Sequence, residues 1–180
     1  MSGAVRTTRS MAYDAFDGVI LEVHPDCPPD EREWDGFVAW LCARDLSRVR
    51  GLTFAEGPGP NAGQRKKLMT VPGVDVGLSV VLTTSLVARG AITALNWLGY
   101  KNLKGFDYKN LVAAMDYLDI PPERHHPIAQ RVLELKCELL GVTLAELPYD
   151  RAALDLATLT FDELAQVLMP RSARPSARRR

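Results

Sequence analysis

Residues 76–100 read VGLSVVLTTSLVARGAITALNWLGY, and Arg89 is their only charged residue. The uninterrupted apolar run at the start of this segment, residues 76–83, is typical of a central strand covered on both faces. Leu, Ile and Ala then recur at helical intervals, so we predict a helix over residues 86–98 that ends at Gly99. A membrane span would place Arg89 near the bilayer centre at a cost of roughly 2.5–3.5 kcal/mol. The segment therefore predicts a buried strand followed by a helix that packs on a sheet.

Strand and helix patterns alternate on both sides of this segment. Further strands are predicted at residues 19–23 (VILEV), 49–56 (VRGLTFAE) and 102–106 (NLKGF). Helices are predicted from about residue 31, behind the N-cap Asp30, and over residues 61–70 and 108–118. This alternation with short loops indicates an α/β fold. We expect a mainly parallel or mixed sheet of four to five strands, joined by right-handed crossovers and packed by helices.

The helix behind Asp30 has one apolar stripe, which is expected to be buried. Its members are Trp34, Phe37, Val38, Leu41 and Cys42. Trp40 falls outside this stripe. Because an exposed tryptophan marks an interface, we expect the edge near Trp40 to bind a partner.

After residue 120 the pattern becomes wholly helical. Helices are predicted over residues 127–140, ended by Gly141, at about 150–156, and over 160–168 behind a Thr160–Glu163 capping box. We therefore divide the chain into a flexible N-terminus (1–12), an α/β domain (13–120), a helical extension (121–170) and a disordered basic tail (171–180). The short helices of the extension cannot bury their apolar surface alone, so we expect the extension to pack on the α/β body or on a second copy.

The 180 residues have the composition of a soluble globular protein, with 47% hydrophobic and 24% charged residues. Lys plus Arg and Asp plus Glu number 22 each, but both termini are basic, so residues 11–170 hold 15 basic and 22 acidic side chains. Such an acidic body disfavours nucleic acid binding, because phosphate contacts need clustered cations. The tail is the exception: it is either solvated or binds an acidic protein, nucleic acid or anionic lipid. Its basic residues are Arg171, Arg174, Arg178, Arg179 and Arg180.

Cysteine and histidine positions argue against disulfides and metals. Cys27, Cys42 and Cys137 form no CxxC pair, and no signal peptide is evident, so we expect reduced thiols in a cytoplasmic protein. A structural zinc site needs four ligands, commonly in two close pairs. His24 with Cys27 is one such pair, whereas the adjacent residues 125–126 (His-His) point about 100° apart on a regular helix. We predict no metal and no cofactor.

Residues 76–118 carry a resemblance to a known family. Four features are shared: a strand ending in Thr-Thr-Ser (83–85), a helix with an early Arg89, a short strand ending in Phe106, and a terminal helix with the aromatic–Leu pair 117–118. With these features the chain resembles SpoIIAA-like (STAS/SEC14-like) domains over about residues 17–120. The resemblance implies a compact α/β sandwich that serves as a binding or regulatory module without catalysis. The Asp-Ser-Ser/Ala-Gly signature of the phosphorylated members is absent, so no phospho-switch is expected.

The loop over residues 56–67 (EGPGPNAGQRKK) leaves a strand and enters a helix. Its free backbone N–H groups suit an anion, with Arg65 and Lys66 as counter-charges. It is neither a Walker A loop nor a GxGxxG motif. The alternative is a turn followed by an N-cap at Asn61, supported by Gln64, and a solvated basic helix face.

Thr84, Ser85 and Arg89 follow the central strand, at the sheet end where ligands usually bind. Ser85 is interpreted as a helix N-cap, with phosphorylation, ligand contact or nucleophilic catalysis as alternatives. No GxSxG elbow and no assembled base accompany it. Arg89 either pairs with an acid at the sheet edge or presents its charge to a ligand or partner.

The sequence favours a non-catalytic regulatory or scaffolding protein that binds another protein. Self-association through the outer face of the extension is part of this hypothesis. The alternative is a sensor module for a small anionic or amphipathic molecule, such as a nucleotide or lipid. In that case the 57–64 loop, Thr84, Ser85 and Arg89 line the pocket. A hydrolase that uses Ser85 ranks last.

Overall fold

A computed structural model describes residues 6–7, 10–97, 102–143 and 161–168. Its strands form one sheet in chain order: β1 (Arg6–Thr7), β2 (Ala12–Phe16), β3 (Val19–His24), β4 (Arg50–Ala55), β5 (Ser79–Thr83) and β6 (Leu103–Phe106). Strands β1 to β3 pair antiparallel, and β3 to β6 pair parallel. The expected mixed, mainly parallel α/β sheet is therefore confirmed, and the two-residue β1 extends it by one strand.

Helices cover both faces of this sheet. They are α1 (Glu31–Cys42), α2 (Ala62–Leu68), α3 (Leu86–Trp97), α4 (Leu111–Tyr117), α5 (His125–Leu140) and α6 (Phe161–Leu168). Because neighbouring parallel strands follow each other in sequence, right-handed crossovers put α1, α2 and α3 on one face. Ile20 accordingly packs with Trp34 and Phe37 of α1, while α4, α5 and α6 pack on the opposite face, against Leu21, Leu52 and other core residues. None of the described helices is both long and apolar enough to cross a membrane.

The N-terminal strand β2 is absent from the sequence-based prediction. It pairs with β3 through Asp17 and Gly18, whose φ angles of 50° and 74° are those of a tight hairpin turn. Met11 and Ala12 are fully buried, so the flexible segment expected over residues 1–12 is wrong at its C-terminal end. The buried Asp14 interrupts the apolar pattern of this strand, so the pattern does not predict it.

Helix starts agree closely with the sequence. Asp30 accepts hydrogen bonds from two backbone N–H groups of α1, and Asn61 forms a capping box with Gln64 at the start of α2. Ser85 Oγ accepts from the Ala88 N–H at 3.1 Å. Gly141 ends α5 in the left-handed conformation, with φ of 64°. These ends are predictable because each depends on side chains within a few residues of the cap.

Strand β5 is shorter than predicted, because residues 72–77 form turns instead of extended chain. The Val76 N–H donates to Gly73 O at 3.2 Å. Gly77 also lies against the preceding loop, since a Cβ placed on it would be 2.7 Å from Val49 O. The predicted strand from residue 76 therefore begins only at Ser79, because Gly77 lies close to the backbone at Val49.

Helix α5 belongs to the core that the sheet forms. Its fully buried side chains include Ile128, Val132 and Leu133, which share one cluster with the sheet. Arg131 of α5 also donates from Nε to the fully buried Asp14 of β2 at 2.9 Å. Of the two packing modes expected for the extension, α5 shows packing on the α/β body. The helix expected at 150–156, the cap residue Thr160, the helix end at 98–99 and the tail 171–180 lie outside the described residues.

Candidate functional site

A cavity of about 490 Å³ lies on the sheet face that carries α1, α2 and α3. Its floor consists of alternate residues of three neighbouring strands, because side chains on one face of a strand recur with period two. These floor residues are Ile20, Glu22 and His24 of β3, Gly51, Thr53 and Ala55 of β4, and Ser79 and Val81 of β5. One wall includes Trp34 and Phe37 of α1, and the opposite wall includes Ala88 and Ala91 of α3. Several of the described residues that line this space have small side chains, including Gly51 and Ala55 on the floor and Ala88 and Ala91 on α3.

Three polar side chains on the cavity floor form one hydrogen-bonded network. Glu22 Oε1 lies 2.6 Å from His24 Nε2, and Glu22 Oε2 accepts from Thr53 Oγ1 at 3.0 Å. The pairing register places Thr53 directly opposite Glu22, and His24 follows Glu22 by two residues on the same strand face. The side chains of Glu22 and His24 are only 12% and 2% exposed. The backbone of the sheet therefore positions the network, and its His24 side chain is buried.

One nitrogen of the His24 ring lacks a hydrogen-bond partner. Nδ1 is buried and unpaired, whereas most buried polar atoms in proteins are paired. The ring lies beside Trp34, with centroids 6.3 Å apart. Trp34 is itself fixed, since its Nε1 donates to Gln64 O at 2.8 Å. His24, one of the residues that line the cavity, therefore has a buried ring nitrogen without a hydrogen-bond partner.

The 57–64 loop lines this cavity. Of Arg65 and Lys66, the two side chains predicted to balance an anion there, only Arg65 also lines it. Gly57, Pro58, Gly59 and Pro60 line it together with the exposed Arg65. The Arg65 Nη1 donates to Pro60 O at 2.5 Å, so this guanidinium ties the loop to α2.

The other two loop candidates do not line the cavity. Asn61 caps α2, and its amide donates to Glu31 Oε1 at 3.2 Å. Lys66 is exposed on α2. The geometry of the loop matches the alternative interpretation, a turn with an N-cap and a solvated basic face.

Thr84, Ser85 and Arg89 do not join the loop in the cavity lining. Ser85 is occupied as the cap of α3. Arg89 Nη1 pairs with Asp107 Oδ2 at 2.6 Å and donates to Thr83 O at 3.2 Å. The hydrogen bond from Arg89 lowers the pKa of Asp107 below its ordinary value. Arg89 thus joins α3 to the end of β6, which agrees with the alternative of an acid partner at the sheet edge.

Trp40 is not an exposed interface residue. It is 7% exposed and lies edge-on to Tyr13 at 4.8 Å, while the Arg44 guanidinium covers its ring at 3.6 Å. The buried face of α1 is rotated relative to the predicted stripe, so that Trp40 is buried and Cys42 is exposed. The surface that covers Trp40 includes Tyr13 of β2, the strand that the sequence analysis missed.

Sequence reasoning also missed the polar network. The strand predicted over residues 19–23 ends before His24, so this histidine and Glu22 were not predicted to share a strand face. The strand extends one residue further than predicted, to His24, which puts Glu22 and His24 on one face. A Glu and a His two residues apart in the otherwise apolar strand VILEVH was the available signal. In the described part of the chain, no group of three or more His, Cys, Asp or Glu side chains is arranged to hold a metal ion.

No family model, curated protein or solved structure matches this chain. The resemblance to SpoIIAA-like domains therefore stays a prediction.

Proposed function

We propose that this protein is a non-catalytic regulatory module that binds a small, mainly apolar molecule in the cavity between α1, α2 and α3. The supporting observation is the cavity itself, in which apolar residues line the space around the partly buried Glu22–His24–Thr53 network. Its volume of about 490 Å³ falls in the range of small-molecule sites. Such sites typically combine an apolar lining with a few fixed polar groups, and this cavity has the same combination.

The order of groups in the network favours binding over nucleophilic catalysis. In a hydrolytic triad the imidazole lies between the hydroxyl and the carboxylate, so that it can take the hydroxyl proton. Here the Glu22 carboxylate lies between Thr53 and His24. His24 is therefore hydrogen-bonded to the carboxylate and not to the hydroxyl. Ser85, the other candidate nucleophile, is not among the cavity residues.

A neutral fluorescent probe tests this proposal. N-phenyl-1-naphthylamine is expected to bind the full chain saturably at one site, with enhanced emission because the cavity lining is mainly apolar. Val81→Trp fills the cavity from its floor and is expected to weaken this binding at least about tenfold, or about 1.4 kcal/mol. Fluorescence titration measures both affinities, and a rise in the unfolding temperature with probe confirms that the folded state binds.

The matched control is Val112→Trp on α4. Val112 is 48% exposed and is not among the cavity residues, so this variant should bind the probe like the wild type. Equal probe affinity in the wild type and in a folded Val81→Trp variant would show that the probe does not occupy the cavity. That result, or absence of saturable binding, contradicts the proposal.

A second candidate function is binding of another protein, including a second copy of this chain. Leu86 and Val87, in the first turn of α3, are 76% and 84% exposed. Adjacent large apolar side chains at such exposure mark interaction surfaces. In the described part of the helical extension, α5 packs its apolar face on the sheet, and the predicted role of the outer face stays a prediction.

Light scattering after size exclusion tests self-association by this surface. The double variant Leu86→Ser, Val87→Ser should shift an oligomeric wild type toward the monomer, because it removes the exposed apolar pair. Val112→Ser is the control and should leave the mass unchanged. A wild type that is monomeric at all concentrations, or an oligomer insensitive to the double variant, contradicts self-association here.

A cytoplasmic location belongs to the same proposal. Cys27, Cys42 and Cys137 are all unpaired. Free thiols are typical of proteins kept in a reducing compartment.

A further inference from the structure

The Glu22 carboxylate lies in the cavity with little to balance its charge. Within the described part of the chain, one carboxylate oxygen of Glu22 is hydrogen-bonded to the His24 ring, and the other accepts from the neutral Thr53 hydroxyl. Neither a lysine nor an arginine of that part is within ion-pair distance of Glu22. Burial of a carboxylate without a cation is costly, and the cost is reduced when a positive charge comes close.

The two arginines that line the cavity are engaged elsewhere. Arg50 donates from Nε to Leu118 O at 2.5 Å, and its Nη2 lies 3.6 Å from Asp119. Arg65 is exposed and bonds Pro60 O. Neither arginine therefore balances the charge of Glu22, which a cation bound in the cavity could do.

We propose that the cavity takes an organic cation, a molecule with an apolar body and a primary or secondary ammonium group, for which Glu22 is the counter-ion. This inference rests on the proposed binding function and specifies its ligand class. An ammonium group supplies both the missing positive charge and N–H donors, and it has no acceptor that would conflict with the carboxylate. The apolar walls from α1 and α3 cover the rest of the molecule.

Three probes with one apolar body test the charge preference: 1-naphthylmethylamine, 1-naphthalenemethanol and 1-naphthoic acid. Calorimetric titration of the full chain should show the amine binding at least about tenfold tighter than the alcohol, since a hydrogen bond to a charged group contributes at least a tenfold factor. The acid should bind most weakly. Equal affinities, or tightest binding of the acid, overturn the inference.

The Glu22→Gln variant tests whether Glu22 causes the preference for the amine. The variant should bind the amine and the alcohol equally, with its affinity for the alcohol close to that of the wild type. Glu123→Gln removes the same charge from an exposed position outside the cavity and should keep the amine preference. An amine preference that persists in a folded Glu22→Gln variant overturns the inference, and the wild-type series decides it if that variant does not fold.

The two proposals fail in different ways. If the neutral probe binds and Val81→Trp blocks it, but the amine is not preferred, only the cation inference is wrong. If neither the neutral probe nor any naphthalene compound binds, both are wrong.

Discussion

Several charged side chains of this protein form salt bridges with residues on other helices or strands or next to them. Arg131 of α5 bonds the buried Asp14 of β2, and Lys136 of α5 bonds Glu56 at the end of β4. Arg89 of α3 bonds Asp107 just after β6. Because these pairs are partly buried, each fixes the position of one helix on the sheet more strongly than a surface pair would.

The Arg89–Asp107 pair makes stability depend on pH in acid. Its hydrogen bond lowers the pKa of folded Asp107, whereas an unfolded Asp titrates near about 3.9. The pair therefore stabilises the fold fully above about pH 4, and this contribution is lost as the pH falls through the lower folded value. Arg89→Met should reduce the free energy of unfolding by roughly 1 kcal/mol at pH 7.

Urea unfolding from pH 7 to pH 3 measures this dependence. The difference between Arg89→Met and the wild type should shrink toward pH 3. The exposed Lys66 provides the control, since Lys66→Met should give a small difference with no such trend. A constant difference for Arg89→Met across this range would assign its effect to lost packing.

Helix boundaries depend on residues that are close in the sequence, whereas strand packing depends on residues that are far apart in it. The caps at Asp30, Asn61 and Ser85 were predictable, because each side chain bonds backbone N–H groups two or three residues ahead. Strand β2 was missed because its buried Asp14 depends on Arg131, 117 residues away. Because β2 was not predicted, Trp40 was expected to be exposed, whereas its ring packs on Tyr13 of that strand.

The whole molecule is asymmetric about its sheet. Helices α4, α5 and α6 pack on one face in a continuous core, whereas α1, α2 and α3 leave the cavity over the other. The sequential order of the parallel strands places all three crossover helices, α1, α2 and α3, on the face with the cavity. The polar residues Glu22, Thr53 and Ser79 lie on the side that is incompletely covered.

A pair of substitutions in α5 tests whether this helix belongs to the same cooperative unit as the sheet. Leu133 is fully buried, and Leu133→Ala should lower the free energy of unfolding by about 2–5 kcal/mol. Leu140 is 49% exposed on the same helix, and Leu140→Ala should cost less than about 1 kcal/mol. Circular dichroism and tryptophan fluorescence should report one shared urea transition. Separate transitions for helix and sheet would show that α5 is an independent extension.

Local sequence patterns were enough to establish the α/β class, the positions of α1 to α5 and most strands, because periodicity and capping act within a few residues. They placed the 57–64 loop at the end of a strand, but they could not show that Arg89 is neutralised by Asp107. The cavity and its Glu22–His24–Thr53 network came only from the tertiary structure. The reason is physical: which residues face each other depends on the register between β3 and β4 and on how far α3 lies from α2, and neither is encoded in any single segment.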